Sequence, residues 1–277
     1  MCHLREVRVV RDQRRGRPWG SRARLEHVGE SRDTKGPPGV SGGYRERASR
    51  VAGAVLWTRT LQSPARPVLP DGCTDLIWSG GRLLVAGPDT GPQSVEGMPP
   101  GTALVGLRFA PGQGPAVFGV PARELRDRRV PLADLWPADR VRELTERLAA
   151  AGTPGSATGA GRLLEETAAA RLREGTGEDG RTAAVAAALA RGRPVAEVAG
   201  AVALGERQLY RLSLDAFGYG PKTLARVLRL VRALDLARSG MPYAQVAAHA
   251  GYADQAHLAR EVKSLAGAPM GVLLAPG

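Results

Sequence analysis

The strongest constraint on the fold is a short pattern that occurs twice between residues 194 and 265, about 48 positions apart. The first copy runs Val198-Ala199, three residues, Ala203-Leu204, then Glu206-Arg207-Gln208-Leu209. The second runs Val246-Ala247, three residues, Gly251-Tyr252, then Asp254-Gln255-Ala256-His257-Leu258. Val198 and Val246 are offset by 48 but Leu209 and Leu258 by 49, so one extra residue enters at the start of the second copy's last helix. Each copy reads as a helix, a tight turn and a second helix. The close crossing of such a pair needs small residues, and Ala199 and Ala203 match Ala247 and Gly251. Gly251 suits a left-handed helix end. Pro194 and Pro242 each precede a unit's first helix, where a missing amide donor costs nothing.

The second helices divide into two faces. Leu258, Val262 and Leu265 recur at spacings of four and three, which predicts one buried stripe and leaves Gln255, Ala256, His257 and Arg260 outside it. In the first copy Leu209 and Leu212 face inward, leaving Arg207, Tyr210 and Arg211 outward. Between the units, Leu224, Val227, Leu228, Val231 and Leu234 predict one long helix over 221–238 with a continuous apolar face. Residues 181–277 carry 12 basic and 6 acidic side chains, against 17 and 16 in 44–180 and 10 and 5 in 1–43. Of the 39 basic residues 36 are arginine, as codon bias in a GC-rich genome would produce. The asymmetry between segments is therefore more informative than the total. A cationic block attracts polyanions, and phosphate neutralisation supplies most non-specific affinity for DNA.

These residues resemble the AraC/XylS family of bacterial transcription regulators over 181–270. The resemblance rests on Glu206-Arg207-Gln208-Leu209-Tyr210-Arg211, Phe217-Gly218-Tyr219-Gly220-Pro221-Lys222 and Gly251-Tyr252-Ala253-Asp254-Gln255-Ala256-His257-Leu258. It implies two helix-turn-helix units that enter adjacent major grooves of double-stranded DNA, about 34 Å apart. It also implies base contacts at Arg207, Tyr210 and Arg211 in the first unit and at Gln255, Ala256, His257 and Arg260 in the second. Lys222 and Arg226 are candidate phosphate contacts, and RNA polymerase is an expected partner. The chain departs from the family at Gly205, where a serine cap is usual, and at Ser213 and Val262, where phenylalanine is usual.

Upstream, residues 1–43 are rich in Arg, Gly and Pro without periodicity and read as a disordered basic segment. Residues 44–137 read as a β-rich regulatory domain of barrel or sandwich type. Its expected strands are 54–61, 74–79, 83–86 and 103–109, punctuated by Pro70-Asp71-Gly72, Gly80-Gly81 and Pro88-Asp89-Thr90-Gly91. Residues 112–136 read as short helical pieces broken by Pro115, Pro121 and Pro131. Helices over 138–150 and 161–174 form a connector in 138–180, and Val141, Leu144 and Leu148 make a stripe that would pack on the β domain or on a second copy. The fold class is thus α+β, a β-rich domain followed by an all-α domain, 181–277, with two helix-turn-helix units on one long helix.

The four histidines, His3, His27, His249 and His257, all lie outside 44–180. A histidine metal site of cupin type and a Ser-His-Asp or Cys-His pair are therefore excluded from that domain, and no cofactor is expected. The strings around Cys73, Ala86-Gly87-Pro88-Asp89-Thr90 and Gly106-Leu107-Arg108-Phe109-Ala110-Pro111-Gly112 resemble an uncharacterised domain found ahead of this type of DNA-binding domain. That resemblance implies regulation by a small-molecule effector, with Cys73, Trp78 and Arg108 as candidate contacts. Two cysteines support no disulfide framework, and no apolar run approaches the ~20 residues of a membrane span. The expectation is a cytoplasmic, non-enzymatic regulator, with a homodimer as one possible assembly. The alternatives are a non-specific architectural DNA-binding protein and a cupin-like enzyme.

Overall fold

The computed structural model describes residues 43–61, 67–94, 98–151, 157–174 and 180–275. The basic segment 1–42 and the junction 175–179 lie outside the described residues. Six strands, β1 (Arg45–Ala48), β2 (Val55–Thr60), β3 (Thr74–Ser79), β4 (Arg82–Ala86), β5 (Ala103–Phe109) and β6 (Arg129–Pro131), form one antiparallel sheet in the order β1-β2-β5-β3-β4-β6. Among the described residues the β-rich domain is therefore a single sheet. The four longer strands fall where β-type runs between turn signals placed them. Gly80 and Gly81 both have positive φ, at 53° and 80°, and close the β3–β4 hairpin between paired Ser79 and Arg82, the geometry that a two-residue turn of this hand requires.

The two short edge strands escaped the sequence reading. β1 is polar and β6 is three residues ending in proline, which an edge strand tolerates because no outer neighbour needs its amide. Pro131 thus ends a strand instead of breaking a helix. Pro115 lies in the first turn of α1 (Gly114–Phe118), and Pro121 precedes α2 (Ala122–Leu125).

Alternation gives the sheet two unlike faces. One carries Leu56, Leu76, Trp78, Val85, Val105, Leu107 and Phe109, and it is covered by α1, α3 (Ala138–Ala150) and α4 (Ala157–Glu174). Leu144 and Leu148 of α3 and Leu164 and Ala168 of α4 are buried in that same core. The stripe read on 138–150 is thus spent within the chain. Helix α4 starts four residues earlier than its apolar pattern suggested. The opposite face carries a smaller cluster around Trp57, Leu61 and Leu104.

The remaining elements are helical: α5 (Gly180–Ala190), α6 (Val195–Ala201), α7 (Glu206–Phe217), α8 (Pro221–Arg238), α9 (Tyr243–Ala250), α10 (Gln255–Ala266) and α11 (Met270–Leu274). They build two cores on one connector. Leu224, Val227 and Leu228 of α8 join the core of α5–α7, while Leu230, Ala233 and Leu234 join that of α9–α11. The predicted single apolar face on α8 is therefore two faces rotated about the axis. Leu230 is fully buried, and Val231 is only half-buried. Among the described residues no helix is long and apolar enough to cross a membrane.

Candidate nucleic-acid interface

Both units adopt the predicted helix-turn-helix geometry. Pro194 and Pro242 sit at the N-caps of α6 and α9 with nearly identical backbone angles, φ −58° and ψ 141° or 140°. The turns then diverge. Gly251 ends α9 at φ +84°, whereas the matching position in the first unit is Ala203 at φ +54°, exposed to solvent. A side chain in this region costs roughly 1–2 kcal/mol. Ala203→Gly is therefore expected to stabilise the chain by about 1 kcal/mol, after the entropy that glycine adds to the unfolded state; a lower midpoint in urea for the variant would contradict this.

The reading helices also start differently. Asp254 caps α10, its Oδ1 accepting the His257 backbone N–H at 2.6 Å. Gly205 cannot do the same for α7, but the Gln208 side chain reaches back and its Oε1 accepts the Gly205 N–H at 2.9 Å. Leu209, Ser213 and Phe217 bury the inner face of α7, and Leu258, Val262 and Leu265 that of α10. Ser213 is wholly buried with no partner for its hydroxyl among the described residues, a cost of about 1–3 kcal/mol where an apolar side chain would fill the core.

The predicted reading residues of the first unit come together. Arg207, Tyr210 and Arg211 are exposed on α7, and with Glu206, Lys222 and Val195 they line a groove of 1170 Å³. Tyr210 is 52% exposed and its ring lies against Gly220, where a Cβ would come within 2.6 Å of it. In the second unit Gln255, Ala256 and Arg260 are exposed on α10. His257 is half-buried, edge-on to Tyr252 at 5.3 Å between ring centroids, with Nδ1 accepting the Ala253 N–H at 3.3 Å. His249 bonds the Gln245 carbonyl of its own helix, a structural contact.

Arg226, read from sequence as a candidate phosphate contact, is 43% exposed and pairs with an acid of the second unit. Its Nε donates to Glu261 Oε1 at 2.5 Å, and Arg229 Nη2 donates to Glu261 Oε2 at 2.9 Å. Burial pushes the Glu261 carboxyl up, but the bond from Arg226 and the charges of Arg226, Arg229 and His257 outweigh it and hold the group below its usual value. Sequence reasoning missed Glu261. The available signal was one acid on the inner stripe of an otherwise cationic reading helix.

Cys73, Trp78 and Arg108 do not converge on one cavity. Trp78 belongs to the helix-covered core, and Arg108 lies on the opposite face with Nε 3.2 Å from Asp75 Oδ1. Cys73 is buried in the turn before β3, where its N–H donates to Asp71 Oδ1 at 2.9 Å. Burial pushes the Asp71 carboxyl up to about 6 and holds the Arg108 guanidinium down to about 10. Among the described residues no group of three or more His, Cys, Asp or Glu is placed to hold a metal ion.

The sheet domain docks on the first unit through the end of the sheet where β3 begins and β4 and β5 finish. Arg123 of α2 pairs with Asp215 of α7, and Arg126 Nη1 donates to the Gly218 carbonyl at 3.4 Å. The buried Tyr219 hydroxyl lies at Gly72, and burial and then the Asp71 charge push its pKa well up. Contact with the second unit is slighter, through Leu69 on its core and Pro92 near Gly267.

Residues 198–275 match a helix-turn-helix domain family and residues 54–131 a domain of unknown function (DUF6597). No curated protein matches the chain. Among solved structures, an apo variant of ToxT from Vibrio cholerae is similar at 11% identity and TM-score 0.45, covering 83% of this chain and 100% of that one. Unsaturated fatty acid bound wild-type ToxT is similar at 11% identity and TM-score 0.40, covering 76% and 88%. At these TM-scores neither likeness carries a ligand or a partner over to this chain. With these matches covering most of both helix-turn-helix units and strands β2 to β6, the chain carries an AraC-type helix-turn-helix domain behind a DUF6597 domain and is a DNA-binding transcription regulator.

Proposed function

We propose that the chain reads an asymmetric operator of two short boxes about one helical turn apart. Arg207, Tyr210 and Arg211 read the first box, Gln255, Ala256, His257 and Arg260 the second, and Lys222 holds phosphate. The observation that carries this reading is the pair of unlike reading faces, both exposed and both fixed to α8. Arginine can grip guanine bidentately and glutamine adenine, each discriminating by about 1–3 kcal/mol. Because both readers belong to one chain, a second copy is not needed for specificity. The regulatory unit is 44–174, since α3 and α4 share the sheet's core, and the reading unit is 180–275. A signal received by the sheet domain, such as a small-molecule effector, reaches the DNA through the contact of α2 with α7. Duplex DNA and RNA polymerase in the cytoplasm are the partners.

Selection of bound duplexes from a random pool by the full chain tests this. Two unequal boxes spaced by about 10 base pairs are expected. Affinity that collapses with salt and enriches no sequence would instead identify a non-specific architectural protein.

A further inference from the structure

Both readers are seated by a buried apolar stripe, but at one matching position their contacts differ in kind. At the position where α7 places Leu212 against an apolar core, α10 places Glu261, which is 9% exposed. The alignment is set by Leu209 and Leu258. Glu261 accepts from Arg226 and Arg229 of the connector and stands 3.5 Å from His257 Nε2 on the reading helix. Arg229 also spans the turn of the second unit. Its guanidinium lies 4.6 Å from the Tyr252 ring centre, and Nη1 is 3.4 Å from the Gly251 carbonyl oxygen. One carboxylate therefore ties together the connector, the turn and the reading helix, beside a side chain that faces DNA.

We propose that Glu261 is the positioning residue of the second reader. It fixes the pitch of α10 on α8 and the ring of His257, and it keeps Arg226 and Arg229 engaged within the protein instead of on phosphate. This rests on the two-box reading above. An apolar contact tolerates small rotations of a helix, whereas two directional guanidinium bonds to one carboxylate do not. Rotation of α10 would carry Gln255 and Arg260 off the base edges together.

A positioning role and a merely structural one predict different changes. Glu261→Gln removes a negative charge and releases two arginines, so affinity for random duplex should rise while affinity for the second box falls. The ratio of the two should drop about tenfold, the cost of one lost base contact, with first-box protection kept. Arg229→Lys preserves the charge but not the planar fork. It should leave random-duplex affinity within about twofold and weaken the second box severalfold.

Footprinting of the full chain on its selected operator, with thermal midpoints alongside, decides the matter. Random and specific affinity falling together, in step with the midpoint, would overturn the proposal. So would an unchanged ratio for both variants in an experiment where Gln255→Ala and Arg260→Ala lose the second box. If those two base-contact variants also leave the second box intact, the two-box reading fails and this inference falls with it.

Discussion

Alanine at Gly87 is expected to destabilise the chain by about 3 kcal/mol or more, a fall in thermal midpoint of about 10 °C for a domain of this size. The position looks innocuous, in a polar loop after β4. A Cβ there, however, would fall inside the Leu125 backbone carbonyl at the end of α2. Backbone on both sides leaves no rotamer to relieve the overlap. The segments are also laced together. Gly87 N–H donates to the Arg128 carbonyl at 3.0 Å, Asp127 N–H to the Pro88 carbonyl at 3.1 Å, and Arg129 grips Asp89 through two bonds of 2.7 and 2.6 Å. Moving α2 away would break this lacing and lift Arg123 and Arg126 off α7. Calorimetry of Gly87→Ala measures the cost, and a change below about 1 kcal/mol would show that α2 is not seated rigidly.

What could be read from the chain before its structure follows from how local each signal is. The helix-turn-helix units were legible because Pro194, Pro242, Gly251 and the stripe Leu258-Val262-Leu265 act within one or two turns. Strands β2 to β5 were legible as short β-type runs bounded by Gly and Pro turn signals. β1 and β6 were not, because a short edge strand owes its existence to its neighbour and carries no pattern of its own. The apolar face of α8 reads as continuous because one stripe extends over a helix that serves two cores. The docking seam joins residues about 90 positions apart, as with Arg126 and Gly218, and nothing in either segment announces the other. Arg226 illustrates the same limit at the interface. An arginine on a basic helix reads as a phosphate contact, and its bond to Glu261, 35 residues on, cannot be seen from its own segment.

The reading assigned to the first unit separates two cations that share one groove. Arg211 lies on the exposed face of α7 with Arg207 and Tyr210, and Lys222 projects from the start of α8. A guanidinium that forks onto a guanine edge contributes only where that base is present, so Arg211→Ala should weaken the selected operator by about 10- to 100-fold and relax the preference at the first box alone. With Arg207→Ala added, the loss should reach about 10²- to 10³-fold if the two contacts act independently. An ammonium held near phosphate contributes wherever the backbone runs. Lys222→Ala should therefore weaken operator and random duplex alike and reduce the slope of log affinity against log salt by about one. Titrations of each variant on operator and random duplex at several salt concentrations give both quantities. If Arg211→Ala weakened the two duplexes equally, its guanidinium would be a phosphate contact and the first box would have another reader. Tyr210, whose ring stands exposed against Gly220 in the same groove, would then be the residue to test, since its face can contact a base without any charge.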